Sequence, residues 1–463
     1  MIKTEWFNNP DWWFNCDSSV DQYIAEKYGY LLDAPESYDP IENILRYDQL
    51  PRHVFRNKNE IDFYLQKAIS ITNSLDLLAL NDPHEFVFAL LPWRHSKDTT
   101  LIFKAMEIAW KKLEETSSPI IKRFLKASYE RCPMVDAIKE EVNANCTFDR
   151  SILDFDGKVT DFPKTQRRGS EKLILSISGG VDSMRCSHEM RDSLTAAIHI
   201  NYGNRDTAEK ETQFVAWWCN LIGVPLYVCR INEIKRKPCM DHGLRDTYER
   251  YTRERRYWCY RQFGPDAKIV LGHNKDDVLE NIITNIISRQ KFENLDGMEF
   301  ESVVDGITFV RPMLDIPKDK IYEYAHAHGI PYLPNSTPTW SQRGKIRASL
   351  VGAMNDYSPN LIESLHYMSN MIRNMHALIP KSNSPLTTIT IDKLSTDVSF
   401  WTLLFQNFNV SAKQKAIHNV VERIRQVKEK EKAYINLHIV LNPTTNVTIM
   451  SYESKYKVGI HKT

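Results

Sequence analysis

The stretch Leu173-Ile174-Leu175-Ser176-Ile177-Ser178-Gly179-Gly180-Val181-Asp182-Ser183 constrains this chain more than any other. Its first five residues, apolar or small, read as a buried strand, and Ser178 to Ser183 must then turn sharply before a helix over Met184 to Arg191. Two adjacent glycines at such a turn allow positive φ and let backbone N–H groups approach a bound group closely. N–H groups exposed at a helix N-terminus make an anion site suited to phosphate. Ser178 and Ser183 add hydroxyl donors, whereas Asp182 would repel phosphate unless a divalent cation such as Mg²⁺ lay between them. A glycine turn capped by Ser or Asp is the plainer alternative. The strand-turn-helix setting favours a site for the pyrophosphate of ATP, contacted by Ser178, Gly179, Gly180, Val181, Asp182 and Ser183.

The 463 residues allow about two to four domains with substantial cores. A formal net charge of +1 gives no overall nucleic-acid signature, so any RNA contact must come from local basic patches. The eight cysteines (Cys16, Cys132, Cys146, Cys186, Cys219, Cys229, Cys239 and Cys259) include no CxxC pair. That argues against a zinc ribbon, an iron–sulfur ligand set or a dithiol motif and for free thiols in a reducing compartment. No apolar run approaches the ~18 residues of a membrane span, and the N-terminus lacks a signal peptide's apolar core. The expectation is a soluble cytoplasmic protein without a membrane partner.

In chain order, the aromatic residues Trp6, Phe7, Trp12, Trp13 and Phe14 are expected to staple an N-terminal arm to a core, with base stacking as the alternative. From Ile41 to about Val142 the apolar spacing is helical, and Pro83, Pro92, Pro119 and Pro133 mark helix starts or breaks. Arg94, His95 and Lys97 are expected in a solvated loop. Asp149 to Ser170 reads as a connector in which Lys164, Arg167 and Arg168 are either RNA contacts or solvated. Beyond the glycine loop, strands at 195–201, 225–230 and 268–271 alternate with helices at 207–222, 246–263 and 276–288. This alternation predicts an α/β domain with a doubly wound, Rossmann-like parallel sheet, ligands lying at the strand C-terminal ends.

Further chemistry-bearing residues fall at those ends. The last strand runs into Gly272-His273-Asn274-Lys275-Asp276-Asp277-Val278-Leu279-Glu280-Asn281. Asp276 and Asp277 could hold Mg²⁺, or Asp276 could cap the helix while Asp277 favours its dipole. The second strand ends in Asn201-Tyr202-Gly203-Asn204-Arg205-Asp206, where Arg205 can reach an anion. Arg253 and Arg256 lie on adjacent positions of one helix face and form either a phosphate clamp or a solvated basic surface.

Together these blocks resemble the PP-loop (N-type) ATP pyrophosphatases, and within them the tRNA(Ile)-lysidine synthases. Ser178–Ser183 is similar to the SGGxDS loop, His199–Arg205 to HxxHGLR, and Thr252–Tyr257 to ARxxRY. Gly272–Asn281 is similar to GHxxDDxxET, Arg311-Pro312-Met313-Leu314 to RPLL, and Arg343-Gly344-Lys345-Ile346-Arg347 to RNxxR. The likeness covers roughly residues 170–375. It departs at Leu333-Pro334-Asn335-Ser336-Thr337-Pro338, where the family has DPSN, at Gly344, at Asn281, and in the ~170 residues before the loop. The resemblance implies a ligase that uses ATP and Mg²⁺ to adenylate a tRNA base oxygen, O2 of a cytidine in the family, with release of pyrophosphate, and lets an amine such as lysine displace AMP. Under it, Asp182 and Asp276 or Asp277 serve Mg²⁺ and the amine, and Arg205 and Arg253 serve phosphates or the second substrate. His273 positions or transfers a proton, and Asn201 and Gly272 join the nucleotide contacts.

Ile316–His328 and Lys345–Met375 are expected to be helical, with Arg343, Lys345 and Arg347 as either RNA contacts or a solvated face. After a linker at Ser382–Pro385, a strand at 387–391, helix at 396–430 and hairpin at 434–452 predict a small α+β domain. That domain carries a basic helix (Arg423, Arg425, Lys428, Lys430, Lys432), a tRNA contact or simply solvated. The expected domains are therefore a mainly helical 1–165, an ATP pyrophosphatase domain at 166–335, a helical 336–380 and an α+β 381–463. Two other functions stay open: a sulfur- or ammonia-transferring PP-loop enzyme (tRNA thiolase or 7-cyano-7-deazaguanine synthase type), and a nucleotide-switched binding or sensor protein. Missing CxxC pairs count against the first and retention of Asp182, Asp276 and Asp277 against the second. The sequence does not fix the oligomeric state; a homodimer is compatible with it.

Overall fold

A computed structural model describes residues 2–13, 17–55, 59–132, 134, 138–140, 147–160, 169–289, 294–334, 341–358, 360–378, 386–391, 394–408, 410, 412–429, 435–452 and 455–462. Phe14, Cys16, Pro133, Cys146, Lys164, Arg167, Arg168, Asn335–Pro338, Ser382–Pro385, Lys430 and Lys432 lie outside the described residues. Two units emerge, one comprising residues 1–272, 301–312 and 319–335, the other residues 273–300, 313–318 and 336–463.

The first unit begins with helices whose starts follow from local chemistry. Asp17, Asp82 and Asp98 accept first-turn N–H groups with their side chains, and Pro83 and Pro119 occupy first helical positions where no N–H is missed. Trp6 is fully buried, with Trp12, His53 and Phe88 packed edge-on around it, so the N-terminal arm is stapled as expected. Two expectations fail here. Pro92 lies inside the helix Pro83–His95 rather than ending it. His95 is not in a solvated loop: it ends that helix and its Nδ1 lies 2.8 Å from Oδ1 of Asp48, which also pairs with Arg52 at 3.1 Å.

The same unit holds a seven-stranded sheet among the described residues: β1 (Ile138–Glu140), β2 (Lys172–Ser176), β3 (Leu194–Asn201), β4 (Leu226–Arg230), β5 (Ala267–Val270), β6 (Glu301–Val304) and β7 (Ile307–Val310), in the order β1-β4-β3-β2-β5-β7-β6. Strands β4, β3, β2, β5 and β7 are parallel, while β1 and β6 are antiparallel edges. The chain runs outward from β2 through β3 to β4, then crosses to β5 and β7 on the other side of β2. This is the doubly wound arrangement expected, and it opens a crevice at the C-terminal ends of β2 and β5, where the order reverses. The β6–β7 hairpin was not expected; Asp305 and Gly306, at φ 51° and 76°, form its tight turn.

In the second unit, Val278 and Ile282 of the helix Lys275–Ser288 pack with Leu295 and Met298, and Leu279 and Ile283 with Ile346. The expected helix at 345–375 is broken: Gln342–Lys345 passes through a π-turn at Ile346–Leu350 into Val351–Tyr357, and Asn360–Leu378 follows. The C-terminal part is the small α+β arrangement expected. Its sheet contains β8 (Leu386–Ile391), β9 (Asn436–Asn442), β10 (Thr445–Tyr452) and β11 (Lys455–Lys462), antiparallel in the order β8-β11-β10-β9. Helices Val398–Asn407 and Gln414–Glu429 replace the single helix expected, and Trp401, Phe405, Val420 and Ile424 pack with Val447, Ile449, Val458 and Ile460. Among the described residues no helix is long and apolar enough to cross a membrane.

Candidate functional site

The loop after β2 is shaped by its glycines and serines. Gly179 has φ +83°, and a Cβ there would lie 2.5 Å from Leu333 Cδ1, so only glycine fits. Leu333 N donates to Gly179 O at 2.9 Å, tying the loop to the segment after the helix Lys318–Ala327. Ser183, almost fully buried, accepts from Ser178 N at 3.1 Å and donates to Gly180 O at 3.0 Å; Gly180 N in turn donates to Ser178 Oγ at 3.3 Å. Gly180 begins the helix Val181–Glu189 with no side-chain cap, leaving the positive helix end open to an anion.

Behind the loop, Ile177 is pinned to β3 through its N–H on Ile198 O and through His199 Nδ1 at 2.9 Å from Ile177 O. Burial lowers the His199 pKa, which keeps the imidazole neutral and able to serve this carbonyl. Gly272 closes the other side: a Cβ there would come within 3.1 Å of the Asp182 carbonyl carbon and Ser183 N. Asp182 itself is half-buried.

At the end of β3, the Asn201 side chain organises the turn. Its Nδ2 donates to Ala208 O, Glu209 Oε2 and Thr212 Oγ1, and its Oδ1 accepts from Gly203 N at 2.8 Å. Arg205 is held by Glu211 at 2.7 Å with half its side chain exposed. On the helix Arg245–Arg261, Arg253 is exposed, whereas Arg256 is half-buried with Nη1 3.5 Å from Tyr202 OH. The two arginines therefore have different surroundings.

In the second unit the plain capping reading is corrected. Asn274, rather than Asp276, caps the helix, accepting from Asp276 N and Asp277 N at 2.9 and 3.1 Å. Asp277 completes a reciprocal capping box by accepting Asn274 N at 3.1 Å through Oδ2, and its Oδ1 receives Arg347 Nη2 at 2.9 Å. Both Asp277 oxygens thus accept from donors of the protein itself. Asp276 accepts Lys318 N at 3.1 Å through Oδ1 and is half-buried. Arg347 also pairs with buried Glu280, and Arg343 lies 3.7 Å from the other Glu280 oxygen. Burial raises the Glu280 pKa while Arg347 opposes the shift. Arg347 thus belongs to an internal ion-pair network rather than to a purely solvated face, and Lys345 is exposed. His273 is half-buried. Among the described residues no three His, Cys, Asp or Glu side chains form a metal cluster. Mg²⁺ needs less from the protein, usually one or two carboxylates with substrate phosphates and water, and Asp182, half-buried in the first turn after the loop, offers one such carboxylate within the first unit.

One feature escaped the sequence reading. The run Lys235-Arg236-Lys237 follows β4, with Lys235 Nζ donating to Gly203 O and Arg236 N to Asn204 Oδ1, both at 3.0 Å. Three consecutive basic residues shortly after a strand were a usable signal.

Comparison with known proteins agrees with this geometry. Residues 152–354 match the family model described as a PP-loop domain. The tRNA(Ile)-lysidine synthase of Clostridioides difficile is 28% identical over 224 residues, which span 46% of this chain and 47% of that protein. Residues 152–354 thus resemble a PP-loop domain, and the chain is similar to the tRNA(Ile)-lysidine synthases. The chain is also 23% identical over 282 residues to the Listeria monocytogenes bifunctional protein TilS/HprT, covering 58% of the chain and 42% of the relative. It spans less than half the length of these two curated relatives. A solved U34-tRNA thiolase, NcsA from Methanococcus maripaludis with its [4Fe-4S] cluster, aligns with 16% identity and TM-score 0.34 over 44% of this chain and 73% of the thiolase. That likeness is too distant to carry an argument.

Proposed function

We propose that this protein is an ATP-dependent ligase that modifies a tRNA base. The observation that carries the reading is the uncapped helix start at Gly180, framed by left-handed Gly179 and the Ser178 and Ser183 hydroxyls. Such a loop holds a pyrophosphate through N–H and O–H donors. The proposed reaction has two balanced steps. A base carbonyl oxygen, with cytidine O2 as the first candidate, attacks the α-phosphorus of ATP and releases pyrophosphate. An amine such as lysine then attacks the adenylated carbon; the C–O bond breaks, AMP leaves with that oxygen, and the amine loses a proton.

Most of the acceleration would come from positioning and charge neutralisation. Ser178 to Ser183 orient the departing pyrophosphate, and Arg205 and Arg253 serve phosphates or the second substrate. Mg²⁺, when bound, supplies neutralising charge, with Asp182 and Asp276 as its carboxylates. Asp277 acts indirectly by fixing the helix start and Arg347, while His273 is assigned to positioning or proton transfer. Asn201 would contribute to nucleotide binding through the turn it holds, and Gly272 by its close fit to the loop.

The test is nucleoside mass spectrometry of tRNA incubated with the protein, ATP and lysine or other amines. A cytidine gaining the amine's mass minus water supports the proposal. A thiolated base, or no altered base with any tRNA or amine tried, would sink it.

A further inference from the structure

A groove of about 950 Å³ lies in the first unit between the helix Thr99–Thr116 and the segment Asn232–Pro238. Phe103 and Trp110, seven residues apart on one helix face, and Pro238 give it a flat apolar wall, and both aromatic side chains are half-buried. The walls are joined by a relay in which Trp110 Nε1 donates to Tyr129 OH at 2.8 Å and Tyr129 donates to Glu233 O at 2.7 Å. The groove is thus part of the folded framework, and the Lys235 and Arg236 hydrogen bonds connect its far wall to the turn at the end of β3.

The geometry points to this groove as a binding site for an unpaired nucleotide of the RNA substrate, with a base stacked on Phe103 and Trp110 and flanking phosphates on the neighbouring lysines. This rests on the tRNA-modifying reading above and adds a role for the helical N-terminal region. A nucleobase is a flat aromatic group that stacks on such side chains without needing a particular sequence. Lys104, Lys111 and Lys235 line the groove together with Glu107, Glu114 and Glu233; Lys104 Nζ lies over the Trp93 ring, Lys235 Nζ is held by Gly203 O, and Arg236 and Lys237 follow Lys235 in the chain. Not all of this charge is uncompensated, since Lys111 pairs with Glu107 at 2.8 Å and Lys237 with Asp241 at 3.0 Å. These are exposed pairs, which phosphates can displace at little cost. Glu107 and Glu114, also lining the groove, can accept from a base's exocyclic amino group.

The probe is a fluorescein-labelled oligouridylate bound to the full chain, measured by anisotropy across a salt series. Phe103→Ala is expected to weaken binding about tenfold, and Phe103→Trp to stay near wild type because it keeps a stacking surface. Replacing both Lys104 and Lys111 by Gln should flatten the dependence of log Kd on log salt by about 0.7 per lysine removed. Unchanged affinity in Phe103→Ala would overturn the proposal. Equal loss in Phe103→Ala and Phe103→Trp would also overturn it, assigning Phe103 to packing. Pyrophosphate release, measured on the same proteins with tRNA, separates the two readings. Release with groove-independent RNA binding defeats only the groove; groove-dependent binding without release defeats only the adenylation chemistry.

Discussion

Replacing Gly272 by Ala tests how closely the loop must be held. The new Cβ would sit 3.1 Å from the Asp182 carbonyl carbon and Ser183 N and 3.2 Å from Asp182 O, whereas ordinary contact begins at 3.4 Å. All three neighbours are backbone atoms in the first turn of the helix that follows the loop. No side-chain rotation can relieve the contact, so that turn or the Gly272 segment must shift by at least a few tenths of an ångström. Overpacking of this kind costs about 1–3 kcal/mol, and misplacement of a reacting group by ~1 Å can cost ~100-fold in rate. We expect kcat/KM for ATP to fall about 10- to 100-fold and unfolding free energy to fall by about 1–2 kcal/mol. The assays are initial rates of pyrophosphate release against ATP concentration and guanidinium denaturation of the same preparations. Wild-type kcat and KM in a folded Gly272→Ala protein would refute the argument that this approach positions the loop.

Gly179→Ala combines a residue at φ +83° with a clash against Leu333, and should lower ATP affinity at least tenfold in isothermal titration. Asp276→Asn and Asp277→Asn should separate chemistry from folding. The first should reduce pyrophosphate release about 100-fold with stability nearly unchanged. The second should lower unfolding free energy by about 1–2 kcal/mol in denaturant titrations by weakening the Arg347 pair and the capping box. His188 has its pKa pushed down to about 4 from 6.5 by burial, reinforced by Arg191 and His328. The unfolded chain therefore takes up a proton below pH ~6.5 while the folded chain resists until pH ~4, so stability falls across that window by up to ~3 kcal/mol. His188→Gln should flatten this part of the stability–pH curve.

How far the sequence could be read depended on whether one segment held its own signal. The eleven residues Leu173–Ser183 carried the strand, the glycines and the helix start, and the parallel sheet followed from the alternation downstream. The β6–β7 hairpin also had a local signal, Val304-Asp305-Gly306-Ile307, but the expectation of crossover helices drew attention away from it. Pro92 was a different difficulty: the proline signals a break, yet the helix continues in a setting where Leu90, Leu91 and Trp93 are buried on either side. Burial of that stretch outweighs the lost N–H bond.

The candidate site was less accessible than the fold because its polar residues choose among partners far away in sequence. Asp277 and Arg347 were read as a metal ligand and an RNA contact, and no local signal announced that they pair with each other across 70 residues. Asn201 looked like a nucleotide contact and instead spends its amide on the turn toward Ala208 and Thr212. His95 followed a proline in a polar stretch, and nothing nearby announced that Asp48 would meet it. Periodicity describes the faces of helices and strands but not which polar group crosses between them.

The central claim is that the loop directs cleavage of ATP between its α- and β-phosphates. The most direct measurement is product analysis of α-labelled ATP in the presence of substrate tRNA, comparing wild type with Asp182→Ala. The expected result is RNA-dependent formation of AMP and pyrophosphate by wild type, lost in the variant. Formation of ADP and phosphate, or equal AMP formation by both proteins, would contradict the account.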